Sequence, residues 1–92
     1  MSYTGPLDLC PFGVNKLAFV MAMDNKQDYD QHKNTHGYEV RSEVRADIYN
    51  ELRAPLLNEI YHRKLTTANQ VEEYVTNAYF EEVGRRIGEV LP

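Results

Sequence analysis

The middle of the chain is organised in units of four residues. Six such units follow one another from Glu39 to His62, and the second position of every unit is aliphatic. These aliphatic positions are Val40, Val44, Ile48, Leu52, Leu56 and Ile60. An α-helix turns by ~100° per residue, so a period of four moves the aliphatic row by about 40° per unit. Either the helix breaks, most simply at Pro55, or successive parts of the row face different neighbours.

The first part of this segment has a competing interpretation as a β-strand. Between Tyr38 and Ile48, charges of alternating sign occupy one face, and Val, Ser and Ala occupy the other. This alternation is typical of an amphipathic strand. On a helix, the acids at four-residue spacing repel one another by ~0.2–0.5 kcal/mol per pair. That cost is small beside the burial of Val44, Ile48 and Leu52, so we predict a helix.

The chain before this segment is less regular. Residues 1–13 contain two Pro and two Gly, and we expect them to form an irregular arm. Residues 14 to about 30 place Leu17, Val20 and Met21 at helical spacing, which predicts a first helix, although a buried strand over the apolar part fits nearly as well. The polar residues 24–37 predict a fraying helix end followed by a loop.

The last element has the clearest helical pattern. Thr67 and Gln70 have the spacing of a capping box, which predicts a helix that begins beside them, and Asn69 is a competing cap. The apolar row of this helix consists of Val71, Tyr74, Val75, Ala78, Val83, Ile87 and Val90. Gly84 interrupts the pattern and costs up to ~1 kcal/mol relative to Ala.

Together these elements predict one small domain over residues 1–92. The predicted fold class is all-α: a compact bundle of three to four helices over residues 14–92, preceded by the irregular arm. The alternative is an α+β fold with a β-hairpin at about residues 16–48 and two C-terminal helices.

Composition narrows the classes of function. The net charge is −4 without a basic block, so we expect neither nucleic acid nor an anionic membrane as a partner. Cys10 is the single cysteine, which leaves no internal disulfide and no thiolate metal cluster. The first residues lack a basic region followed by an apolar run, and residues 17–23 are too short to span a bilayer. We therefore expect a cytoplasmic protein.

Two groups of residues invite a catalytic or metal-binding interpretation. Asp24, Asp28, His32 and His36 follow one another at four-residue spacing, and on one continuous helix neighbouring pairs of them would be able to share a divalent metal ion. A solvated polar segment explains the same pattern, because a turn is predicted just before Gly37. His62 has no identifiable acid–base partner. We therefore expect no enzyme activity, no cofactor and no metal site.

Residues 56–91 resemble the spacing of a helix-turn-helix. Asn69 and Gln70 would stand in the first turn of the recognition helix, where base contacts are made. Glu72 and Glu73 follow directly and would face phosphate. A helix-turn-helix regulator of transcription is thus the alternative function.

Arginine and tyrosine recur at the third position of the four-residue units. Arg and Tyr are enriched in the hot spots of protein interfaces, although they also commonly flank a core with their polar tips in water. The predicted partner-binding residues are Arg41, Arg45, Tyr49, Arg53 and Tyr61.

These observations predict a non-enzymatic protein-binding module, an adaptor or an inhibitor that docks a helix face on a larger protein or protein complex, or on a second copy of itself. One instance of this class would be a phage or mobile-element protein that blocks a host nuclease or defence complex.

Overall fold

The computed structural model describes residues 6–33 and 36–90, and in these ranges it contains three α-helices and no strand. Helix α1 spans Pro6–His32, α2 spans His36–Tyr61 and α3 spans Ala68–Val90. The predicted all-α bundle is confirmed. The alternative with a β-hairpin at residues 16–48 is wrong, because the described part of that segment lies in α1, in α2 and in a turn at Lys33.

The three helices run side by side in an up-down-up arrangement. At one end of the bundle, Gly13 of α1 approaches Ile60 of α2 and Val71 of α3. Further along, Asp24 of α1 is bonded to Arg45 of α2, so α2 runs antiparallel to α1. Helices of 23 to 27 residues are about 35–40 Å long, and they fit only along the longest of the three molecular extents, 47 × 24 × 17 Å. Despite their length, none of the described helices is apolar enough to cross a membrane.

The irregular arm predicted for residues 1–13 is wrong from Pro6 onward, because α1 begins there; residues 1–5 lie outside the described part. Proline fits the first turn of a helix, where its missing N–H has no partner to lose. Pro11 removes one helical hydrogen bond, and its side chain is exposed. Gly13 is buried in a tight contact between helices rather than ending one.

Helix α2 does not break at Pro55, which is exposed within the continuous helix. The aliphatic row of the four-residue units contacts the core from Val44 to Ile60. Ile48, Leu56 and Ile60 are buried, and Val40, Val44 and Leu52 are half-buried. The flanks of α2 contact different neighbours, since Arg45 bonds to α1 and Glu51 bonds to Arg86 of α3.

Helix α3 begins as predicted. The Thr67 hydroxyl accepts a hydrogen bond from the Gln70 backbone N–H at 3.2 Å, and the Gln70 side chain accepts one from the Thr67 N–H at 3.2 Å. This reciprocal pair confirms the capping box. The buried row of α3 consists of Val71, Val75, Tyr79 and Val83. The predicted row did not include Tyr79, and it did include Tyr74 and Ala78, which are half-buried.

The connection between α2 and α3 contains a residue in the left-handed conformation. Arg63 has a φ of 62°, and its N–H donates to the Ile60 carbonyl at 3.0 Å. The Lys64 N–H donates to the Glu59 carbonyl, also at 3.0 Å. These two bonds form a Schellman motif, which stops α2 after Tyr61.

Two glycines should respond in opposite ways to alanine. A Cβ at Gly13 would lie 3.1 Å from Ile60 Cδ1, 3.2 Å from Leu56 Cδ2 and 3.3 Å from Val71 Cγ1, whereas a Cβ at Gly84 meets nothing within 4 Å. We expect Gly13→Ala to lose about 1 kcal/mol of unfolding free energy through overpacking. Gly84→Ala should gain up to about 1 kcal/mol from helix propensity. Urea unfolding of dilute protein measures both; equal effects would contradict the close contact at Gly13.

Candidate functional site

A network of buried charges joins α1 to α2. Asp28 lies on α1 and is bound by two arginines of α2. Arg41 donates from Nε to Asp28 Oδ2 at 2.7 Å and from Nη2 to Oδ1 at 2.9 Å, which is the bidentate arrangement. Arg45 donates from Nη1 to Asp28 Oδ2 at 2.6 Å. Asp28 is 8% exposed and Arg45 is 5% exposed, so both charges are shielded from water.

The network extends to α3 through Asp24. Arg45 donates from Nε to Asp24 Oδ2 at 2.7 Å, and the phenol of Tyr79 donates to the same oxygen at 2.9 Å. Two carboxylates therefore balance two guanidinium groups, and all three helices contribute a member. We call these five residues the ionic network: Asp24, Asp28, Arg41, Arg45 and Tyr79.

The electrostatic effects within the network reinforce one another. The hydrogen bond from Arg41 lowers the pKa of Asp28 from 3.8 to about 2, against the opposing effect of burial and with further help from Arg45. Burial works to lower the pKa of Arg45, but its bonds to Asp28 and Asp24 outweigh this and raise it. Burial, together with the charge of Asp24, raises the pKa of Tyr79 well above its ordinary value. The phenol therefore stays protonated and able to donate.

The structure places the predicted site residues in two groups. Arg41 and Arg45 were predicted to face a partner, but their guanidinium groups are turned inward and bound to Asp28. Arg45 is buried and Arg41 is mostly covered, and the guanidinium groups of both are engaged within the chain. Reasoning from the sequence missed this pairing, although a signal was present. Two acids on α1 and two arginines on α2 share a four-residue spacing, and a short connection makes the two helices antiparallel neighbours.

The hypothesis of a metal site finds no support in the described side chains. Asp24 and Asp28 are bound by arginine, and no group of three His, Cys, Asp or Glu residues with the geometry for a metal ion occurs among the residues described. The side chain of His36 lies outside the described part. A polar depression of about 240 Å³ beside Gln27, Gln31 and His32 leads to the network from solvent.

A groove between α1 and α2 lies beside the network. Its volume is about 420 Å³, and Met21, Ala22 and Tyr29 of α1 face Tyr38 and Ala46 of α2 across it. Arg45 lies in its wall. The rings of Tyr29 and Tyr38 meet edge to face, with centroids 5.5 Å apart, and close one end of the groove. We call this feature the α1/α2 groove.

The other predicted residues remain on the surface of α2. Tyr49 is half-buried one turn beyond Arg45, and the guanidinium carbon of Arg53 lies 5.7 Å from its ring centroid in a cation–π contact. Tyr61 is 56% exposed and lies 12 residues further along α2, about 18 Å from Tyr49. Tyr49 and Arg53 therefore adjoin the α1/α2 groove, whereas Tyr61 lies at the other end of the bundle.

The geometry of α2 and α3 differs from a helix-turn-helix. That motif joins two helices at about 90–120°, whereas here both lie along the long axis of the molecule. The side chain of Gln70 also accepts the Thr66 and Thr67 N–H groups at 2.8 and 3.2 Å, and so is engaged in capping the helix.

Comparison of the chain with protein-family models, with curated proteins and with solved structures found no match. The candidate site therefore depends on its own geometry.

Removing one member of the ionic network should strongly destabilise the fold. Arg45→Met leaves two carboxylates without their shared partner, and breaking a buried ion pair costs about 3–5 kcal/mol. Arg53→Met is the matched control, because Arg53 is exposed on the same helix; we expect it to cost less than about 1 kcal/mol. Urea unfolding followed by circular dichroism measures both. Similar stability of the two variants would contradict a buried network.

The network also predicts how stability depends on pH. Because folding lowers the pKa of Asp28 from 3.8 to about 2, its contribution is complete above about pH 4 and is lost as the pH falls through about 2. The shift corresponds to about 2 kcal/mol. The difference in unfolding free energy between the wild type and Asp28→Asn should therefore shrink by about this amount between pH 7 and pH 2. A difference independent of pH would contradict the assignment.

Proposed function

We propose that this chain is a non-enzymatic protein-binding module that docks the α1/α2 groove and the adjoining side of α2 on a larger protein. The observation that carries the proposal is the groove itself. Its lining includes the small residues Ala22 and Ala46, and the paired rings of Tyr29 and Tyr38 stand at one end. Aromatic residues and methionine, which also line this groove, are enriched at the cores of protein interfaces.

The dimensions of the groove suit side chains of a partner. Its volume of about 420 Å³ is enough for one or two large apolar side chains. Tyr49 and Arg53 continue the same side of α2 beyond Ala46, and these residue types are enriched in interface hot spots. Tyrosine also supplies contact area at a low cost in conformational entropy.

The ionic network supports this proposal by holding the walls of the groove in place. Arg45 lines the groove and is bound to Asp24 and Asp28 of α1, the helix that forms the opposite wall. A surface that is already ordered loses little entropy on binding. Arg41 and Arg45 thus act as positioning residues in this proposal, while Tyr49 and Arg53 contact the partner.

Adaptors and inhibitors both use a surface of this kind, and the identity of the partner distinguishes them. A phage or mobile-element inhibitor of a host nuclease or defence complex is one form of the proposal. The experiment below identifies the partner without assuming that form.

Filling the groove should abolish binding without changing the fold. Ala46 is exposed, so Ala46→Arg keeps a good helix former and blocks the groove. Ala54→Arg makes the same change at another exposed alanine of α2, outside the groove lining, and is the matched control. Each variant is used to capture proteins from the native host, and these are identified by mass spectrometry. We expect the wild type and Ala54→Arg to capture the same proteins in similar amounts. With Ala46→Arg the captured amounts should be at least about tenfold lower.

Circular dichroism should give the same helix content for all three proteins. The proposal fails if the wild type captures nothing, or if Ala46→Arg captures the same proteins in the same amounts. A gel-shift series at low salt tests the DNA-binding alternative, and retardation of duplex DNA below micromolar protein would favour that alternative.

A further inference from the structure

Helix α3 carries an exposed row that begins with Phe80, whose ring meets that of Tyr79 edge to face with the centroids 5.2 Å apart. Phe80, Gly84 and Gly88 follow one another at four-residue spacing and all three are exposed. Phe80 is 46% exposed, and a Cβ at either glycine would meet no atom within 4 Å. The row therefore combines a protruding ring with a flat stretch of bare backbone.

Neither glycine is required by the fold of a single copy. Neither has a positive φ, and neither contacts another helix closely, in contrast to Gly13. Glycine inside a helix is unfavourable, and it is useful where another backbone approaches closely. The distance between two packed helices is set by the side chains between them, so two exposed glycines permit a particularly close approach.

The charges beside this row complement those of a second copy. Glu81 and Arg85 are exposed and occupy one flank of the row. The side chain of Arg85 remains 53% exposed although it is paired with Glu82 and Glu89 of its own helix. If two α3 helices lie antiparallel about a two-fold axis at the level of Val83, Glu81 of each copy faces Arg85 of the other.

The same axis aligns the apolar residues. It brings Phe80 of one copy to the level midway between Gly84 and Gly88 of the other, where the ring meets bare backbone. A surface that is complementary to itself about a two-fold axis is the basis of an isologous dimer. We infer that two copies of this chain associate through antiparallel contact of their α3 faces.

Met23 of α1 enlarges this surface. Lys16 lies 3.2 Å from Glu72, and Asp24 accepts a hydrogen bond from Tyr79, so Met23 stands level with Phe80. Phe80 and Met23 are each 46% exposed and together offer about 200 Å² of apolar area. A stable interface buries about 800 Å² per partner, so this smaller apolar area indicates a weak and reversible dimer.

The first test is sedimentation equilibrium of the full chain from about 10 µM to about 1 mM. We expect the average mass to rise from monomer towards dimer over this range. Gly84→Leu should remain monomeric with unchanged circular dichroism, because the leucine enters open space in the monomer but fills the contact between copies. Ala54→Leu on α2 is the matched control and should associate like the wild type. A wild type that stays monomeric, or a Gly84→Leu variant that still dimerises, overturns the inference.

The second test uses the reciprocal charges. Glu81→Arg and Arg85→Glu should each weaken self-association by about tenfold, since each places like charges opposite one another twice. An equimolar mixture of the two variants should recover association, because every arginine then faces a glutamate of the other variant. Failure of the mixture to recover excludes this face and its antiparallel orientation. The α3 row does not overlap the α1/α2 groove. The outcome of these self-association tests therefore neither supports nor contradicts the proposed protein-binding function, which the capture experiment tests separately.

Discussion

A charge that leaves water needs an opposite charge beside it, and this requirement determines how α1 and α2 are aligned. Asp24 and Asp28 have a single arrangement in which both meet the guanidinium groups of Arg41 and Arg45. Sliding α2 by one turn would leave a carboxylate on α1 or a guanidinium group on α2 unpaired, at a cost of several kcal/mol. Aliphatic contacts are more tolerant of such a shift. In this bundle the polar contacts specify the alignment, and the aliphatic core supplies general stability.

The elements that depend on local information were predictable from the sequence. The capping box at Thr67 and the aliphatic row of α2 can each be recognised from residues that lie close together in the sequence. The close packing of Gly13 involves instead Leu56, Ile60 and Val71, which are more than 40 positions away in the chain. No local rule identifies a glycine that serves close packing between helices, and the same residue type is ordinarily a sign of irregular chain.

The candidate site was predictable only in part, for a related reason. Tyr49 and Arg53 were selected by residue type and do lie on the surface, but the α1/α2 groove beside them exists only because two helices meet. Arg41 and Arg45 have the same residue type as Arg53 and the opposite placement. With those two arginines engaged inside the bundle, the exposed surface of the groove is mainly aromatic and aliphatic. We expect recognition there to depend more on shape than on charge.

The position of Tyr79 over the ionic network has a consequence for how the chain unfolds. In a hairpin of α1 and α2 alone, Asp24 and Arg45 would be surrounded by water, and an exposed ion pair contributes almost nothing. Docking of α3 places Tyr79 against Asp24 and excludes that water. The attraction between Asp24 and Arg45 is then stronger, although neither residue belongs to α3. Each helix therefore gains its stability from the presence of the other two. A partly assembled chain has little to hold it together, and loss of structure should be cooperative, without a populated two-helix intermediate.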